Sequence, residues 1–468
     1  MRKILTYIAV AGIALMAFAC KKTEPVEPAP AAPTEITLSG STLSFVQHGG
    51  KLEVTVTAPT RPEVEGELPE WISKAKVGIY DKYQCKIAFT AQVNPAYTQR
   101  DGAVTIKAGE LTATLALSQD GRVRPTPPED TGLTTTLVTP DATANAQSLF
   151  AYLLGVYGKK TLSGVMANVN WNHDVADQIY GKTGHYPAIN GYDFLHIYVT
   201  GDWVNYSDIT PVTEWAQAGG LVSLMWHFNV PYNKDTTPAP DGSGVTCTPS
   251  ETTFQAANAL TEGTWENKWF YGQMDKVAEV LLKLQEAGIA ALWRPFHEAA
   301  GNATRVTDWD GKAWFWWGAD GADTFKRLWV AMFDYFQQKG VRNLIWVWTT
   351  QNCNGDSSKY DMDIAWYPGD AYVDIVGRDL YGYTAAQNAT EFTEIKTQYP
   401  SKMVTLAECG VDNGTSFAEV DAFWNAGAKW SWFSPWYGDS LPSDAWWTAA
   451  LSSENVITRE GIPTDLFE

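Results

Sequence analysis

From about Thr135 onward, eight short apolar runs recur along the chain: KTLSGVMA, YPAINGYDF, GLVSLMWHFNVP, IAALWRPFHE, NLIWVWTTQN, VDIVGRDLYGY, MVTLAECG and KWSWFSPWYGD. They read as strands. Between them lie segments such as MDKVAEVLLKLQEAG and GADTFKRLWVAMFDYFQQKG, whose apolar residues return at helical spacing and which end on glycine. Strand and helix alternating eight times over residues 135–468 predicts an α/β chain folded as a (β/α)8 TIM barrel. An open doubly wound sheet is the alternative, but no phosphate-binding glycine motif follows any early strand.

In such a barrel the chemistry gathers at the C-terminal ends of the strands, so the residues that close each run are the candidates. Strand two closes on Asn190, Tyr192 and Asp193, strand three on Trp226, His227 and Asn229, and strand four on Arg294, His297 and Glu298. Strand five ends with Trp348 and Gln351, strand six with Asp379 and Tyr381, strand seven with Glu408, and strand eight with Trp432 and Trp436. A carboxylate at an apolar barrel mouth is destabilising unless it is paired or used. Glu298 and Glu408 stand 110 residues apart, yet strands four and seven can aim them across one pocket. Held about 5 to 5.5 Å apart, two carboxylates make a retaining glycosidase, one protonating the leaving oxygen and the other attacking the anomeric carbon. Otherwise Glu298 is a salt-bridge partner of Arg294, and Glu408 is an unrelated strand-end acid.

Charge and aromatic content fit a sugar better than a polyanion. With 34 basic and 53 acidic residues the formal charge is -19, a field that repels nucleic acid. The 22 tryptophans exceed ordinary usage; most belong to the core, and the remainder can stack on sugar faces. Cysteines 20, 85, 247, 353 and 409 form no CxxC pair and no metal-ligand spacing.

The N-terminal third has a different texture. MRKILTYIAVAGIALMAFAC (1–20) has a basic start, an apolar run and a small residue before Cys20, which is the layout of a secretory signal. Its AFAC ending resembles the lipobox of bacterial lipoproteins, which implies lipidation at Cys20 and anchoring to the bacterial outer membrane. Residues 21–35 are a Pro-rich linker, and residues 36–121 alternate apolar and polar positions between turn-formers, as in a small all-β sandwich. PEWI and NPAYTQRDGAVTIKAGELTATLALSQDG within that stretch resemble the BACON domain of Bacteroidetes surface proteins. A second Pro-rich linker over 122–134 leads into the barrel.

Taken together, WRPFHE with a downstream WFWWG, the strand-three WHFN, DIVGRDLYGY and TLAECG resemble glycoside hydrolase family 26. The resemblance implies that Glu298 is the general acid/base and Glu408 the nucleophile. It places His227 near the acid/base in the cleavage subsite, with His297 lining the same subsite. Tyr381 would bond the nucleophile, and Trp436, then Trp432, would be the strand-eight aromatic platform. Trp314 and Trp317 would frame the bound sugar, although AAGNATRVTDWDGKA lengthens the loop before them. Glu298 is expected to be protonated at working pH, and Glu408 ionised through Tyr381 and Arg294. No metal or organic cofactor is required. The usual activity of this family is endo-β-1,4-mannanase, which implies a plant β-mannan as partner and a monomeric enzyme that meets the membrane only through its lipid. Mixed-linkage β-glucanase and β-xylanase are the alternatives within the family. A surface glycan-binding lipoprotein with an inactive barrel is the alternative outside it.

Overall fold

The computed structural model describes residues 31–122, 132–168, 171–199, 204–301, 313–350 and 364–468; Cys20, Gln351 and Cys353 lie outside them. The described residues divide into two compact units, one formed by those up to 92 with 101–118, the other by 93–100 with those from 119 onward.

In the smaller unit, period-two burial makes strands: β1 (Thr37–Leu38), β2 (Thr42–Phe45), β3 (Gly50–Thr57), β4 (Glu63–Glu65), β5 (Ile72–Val77), β6 (Gln84–Ala91), β7 (Arg100–Ala108) and β8 (Leu111–Gln119). They form two four-stranded sheets, ordered β1-β3-β6-β5 and β2-β8-β7-β4. Phe45, Val54, Trp71, Ile87, Phe89, Ile106 and Leu115 from both sheets share one core. Burying one face of each sheet against the other is what the alternation requires, and the unit is an all-β sandwich.

The larger unit runs α1 (Ala144–Val156), β9 (Thr161–Met166), α2 (Asp174–Thr183), β10 (Ile189–Asp193), α3 (Thr210–Gln217), β11 (Leu221–Trp226), the short β12 (Val230–Pro231) and β13 (Val245–Thr246), α4 (Trp265–Glu286), β14 (Ala291–Pro295), α5 (Gly321–Lys339), β15 (Leu344–Thr350), β16 (Ile375–Tyr381), α6 (Ala385–Gln398), β17 (Met403–Gly410), α7 (Val420–Asn425), β18 (Trp432–Pro435), α8 (Asp444–Ser452) and β19 (Val456–Ile457). Strands β9, β10, β11, β14, β15, β16, β17 and β18 pair in that order, and β18 with β9 closes the ring. All of these pairings are parallel. The result is the expected (β/α)8 barrel. The helices start and stop where the sequence supplies caps: Thr264 accepts from the Asn267 amide, Thr384 and Gln387 form a capping box, and α5 ends at Gly340 in the left-handed region.

Alternation decides which side of the wall each residue faces. Along β15, Leu344, Trp346 and Trp348 pack outward with the helices, whereas Ile345 and Val347 belong to a second cluster that includes Leu292, Ile375, Met403 and the α1 residues Leu149, Phe150 and Leu153. Helix α1 therefore seals the end of the barrel opposite the mouth. Trp432 belongs to this inner cluster and is buried, which corrects its expected role as a second aromatic platform. Trp432 and Ser434 of β18 line only a small cavity beneath Glu408, whereas Trp436, after the strand, lines the cleft beside His227 and Glu298.

Candidate active site

Strand β14 stays apolar to Trp293, turns Arg294 inward and stops at Pro295, after which residues 297–300 form a turn. Phe296 and Glu298 both adopt φ of 49°, a left-handed conformation that strains non-glycine residues by roughly 1–3 kcal/mol each. Packing offsets that strain. Phe296 is buried among Phe228, Phe270 and Trp316, and the Gly301 amide donates back to the Glu298 carbonyl at 2.9 Å. Gly318 presses directly on the turn, since a Cβ there would sit 1.8 Å from the Ala299 carbonyl oxygen. The glycine that ends WFWWG is thus the residue that lets the loop support Glu298.

Glu408 reaches the same place by another route. The register between β16 and β17 slips at Arg378/Asp379, so Asp379 pairs with Glu408 and Ala407 becomes an extra residue. A bulge of this kind re-aims the side chain that follows it. Arg294 donates from one Nη to Glu408 Oε1 and, at 3.1 Å, to Asp379 Oδ2, while the Tyr381 hydroxyl donates to Glu408 Oε2 at 2.6 Å. Asp379 also shares a side-chain hydrogen bond with Glu298. One polar chain therefore runs from Glu298 through Asp379 and Arg294 to Glu408 and Tyr381. Burial pushes the Asp379 carboxyl up to about 7 against the pull of Arg294, with Glu408 adding to the rise. Burial, reinforced by Glu408, also pushes the Tyr381 phenol well above its ordinary value, so it stays a donor.

Opposite this chain, Asp193 accepts from both the backbone amide and the Nδ1 of His227. The Nε2 of His227 lies 3.2 Å from that of His297. His297 is held well below its ordinary value by burial and by the neighbouring His227 and Arg294.

A cavity of about 370 Å³ is lined by His227, His297, Glu298, Trp314, Phe315, Tyr381, Tyr383, Glu408, Trp436 and Ser440. Seven of the anticipated residues meet there, and Arg294 lies directly beneath Glu408. Trp317 is the exception among the loop aromatics. It is fully buried, stacks 4.3 Å behind Phe315 and donates from its indole to the His297 carbonyl at 2.9 Å. Trp317 thus backs the wall, and Phe315 presents the face. Phe315, Tyr383 and Ser440 were not anticipated. The W-F-W-W pattern signalled aromatics but not which of them would face outward.

Residues 138–456 match the sequence profile of glycosyl hydrolase family 26. The chain belongs to that family. Its barrel superimposes on the GH26 domain of an endo-beta-mannanase/endo-beta-glucanase from Prevotella bryantii with a TM-score of 0.69, at 61% identity over 70% of this chain and 99% of that one. A beta-mannanase from a symbiotic protist of the termite Reticulitermes speratus, complexed with gluco-manno-oligosaccharide, aligns at 34% identity and a TM-score of 0.56, covering 71% of this chain and 98% of that chain. A mannan endo-1,4-beta-mannosidase from Thermothelomyces thermophilus is 32% identical over 332 residues, or 69% of this chain. The chain spans 61% of that relative's own length and 52% of a related Piromyces enzyme.

Proposed function

We propose that the protein is a retaining endo-β-1,4-mannanase, with Glu408 as nucleophile and Glu298 as general acid/base. The observation that carries this reading is the unequal setting of the two carboxylates on one cavity. Glu408 has an arginine on one oxygen and a phenol on the other, whereas Glu298 is bonded to a second carboxyl, Asp379. Cationic and hydroxyl donors favour the ionised form, and two carboxyls in contact favour keeping a proton between them. Glu408 attacks the anomeric carbon while Glu298 passes its proton to the departing glycosidic oxygen. Water, deprotonated by Glu298, then releases the sugar with its configuration retained. Phe315, Trp314 and Trp436 supply the apolar faces of the cleft, and His227 and His297 supply its polar wall.

The preference for mannan is supported by the names borne by the relatives, from Thermothelomyces to Piromyces. Reducing-sugar release from galactomannan, glucomannan, barley glucan and xylan, combined with NMR of the first anomer formed, tests both parts. Fastest release from the mannans with a β product is expected. Faster release from barley glucan would move the substrate, and an α product would overturn the mechanism.

We also assign residues 1–20 as a lipoprotein signal, 21–35 and 122–134 as linkers, 36–121 as a BACON-like spacer and 135–468 as the catalytic domain, in a monomer tethered to the outer membrane. The sequence motifs around Cys20 and within the sandwich support this assignment. Palmitate labelling that survives Cys20→Ser, or a soluble wild-type protein in cell fractions, would refute the anchor.

A further inference from the structure

We propose that Asp193 is a positioning residue that holds His227 as an imidazolium ion at the wall of the cleft. The inference rests on the catalytic reading above but does not depend on which polysaccharide is cleaved.

Asp193 closes β10 and is fully buried, and both of its carboxylate oxygens go to one residue. Oδ1 accepts the backbone amide of His227 at 3.0 Å, and Oδ2 accepts from its Nδ1. Among the described residues this is the ion pair that Asp193 makes. Among the described residues no lysine or arginine forms an ion pair with it. A buried carboxylate without a compensating charge is strongly unfavourable, so the balance of charge calls for a second proton on His227.

The remaining groups agree with that assignment. His196, Tyr206, Cys247 and Tyr437 also face Asp193, and none is a fixed cation. On the cleft side His227 faces Glu408, with Arg294 opposing, and it touches His297, Phe315 and Trp436. Burial disfavours the charged ring, but Asp193 and then Glu408 outweigh it, so the His227 value is raised. With His227 charged, its Nε2–H donates across the 3.2 Å contact to a neutral His297, whereas a neutral His227 protonated on Nδ1 toward Asp193 would reverse that bond, so the direction of this contact follows the charge on His227. The pair thus sets a positive charge facing Glu408, on the cavity that Glu298 also lines.

The sign follows directly. The imidazolium is present below the raised value and is lost as pH climbs through it, so it sets part of the basic limb of activity. Asp193→Asn preserves shape but removes the charge. The basic limb of kcat/KM should move down by at least about one pH unit, a roughly tenfold loss on that limb, with KM changed less than kcat. The chain has 6 histidines, so the 15N-histidine spectrum can follow the ring state itself. Wild type should show one ring doubly protonated at pH 7.5 that His227→Gln removes and Asp193→Asn renders neutral. That spectrum reads the charge even if no mannan is cleaved. A neutral His227 in wild type, or superimposable pH profiles for wild type and a folded Asp193→Asn, would overturn the proposal.

Discussion

The two ends of the barrel are built from the same eight strands and obey opposite rules. At the mouth, Arg294, Asp379, Glu408 and His297 are buried polar groups, and Phe296 and Glu298 hold a left-handed backbone. At the sealed end, Leu292, Ile345, Val347, Ile375 and Met403 meet the apolar face of α1 with no charge among them. In the proposed mechanism the charges at the mouth serve bond cleavage; each is unfavourable for folding on its own, and the sealed end supplies apolar burial that offsets them. Substitutions at one end should therefore change rate, and at the other stability.

The largest expected effects test the mouth. Glu408→Gln should lower kcat on the order of 10⁵-fold, and Glu298→Gln about 10² to 10⁴-fold; both should leave thermal unfolding close to wild type. An aryl mannoside with an acidic leaving group needs little protonation and should recover much of the Glu298→Gln loss but none of the Glu408→Gln loss. Equal recovery would erase the difference in role. Arg294→Met should break the division itself, because it leaves Glu408 and Asp379 without their cation: stability falling by roughly 3–5 kcal/mol together with a large loss of rate. Unchanged unfolding would mean that the polar chain contributes nothing to the fold.

At the sealed end, Leu292→Ala should lower stability by about 2–5 kcal/mol while kcat/KM at a temperature well below unfolding stays within about twofold. A large loss of rate there would couple the two ends. Tyr381→Phe keeps the ring and deletes one hydrogen bond to Glu408, so kcat should drop about tenfold to a hundredfold, most of it lost hydrogen bonding to a charged group. The smallest change is expected for Trp432→Phe, a core substitution of about 1–3 kcal/mol that leaves substrate affinity alone. A raised KM would restore Trp432 to the cleft.

Much of this arrangement is legible in one dimension because barrel strands are short, apolar and closed by polar residues. HFN, RPFHE, RDLY and AEC each mark a strand end, and each delivers a side chain to the cavity wall or to the polar chain beneath it. The aromatic loop is less legible. In KAWFWWG every ring is apolar, and the order along the chain does not tell which of two stacked neighbours lies in front. Ser440 and Tyr383 carry no local signal at all, since loops bring them in from after β18 and β16.

What the amino-acid order determined alone was the number and type of elements, the apolar wall, and the two carboxylates at strand ends, because periodicity and capping are local properties. Tertiary structure decided the slip of one residue that turns Glu408 inward, the backbone twist under Glu298, and the choice of Phe315 over Trp317. Each depends on what a distant segment presses against: Asp379 on the adjacent strand, Gly318 against Ala299, and Trp317 wedged behind its neighbour. Contacts between residues far apart in sequence exist only once the barrel has closed.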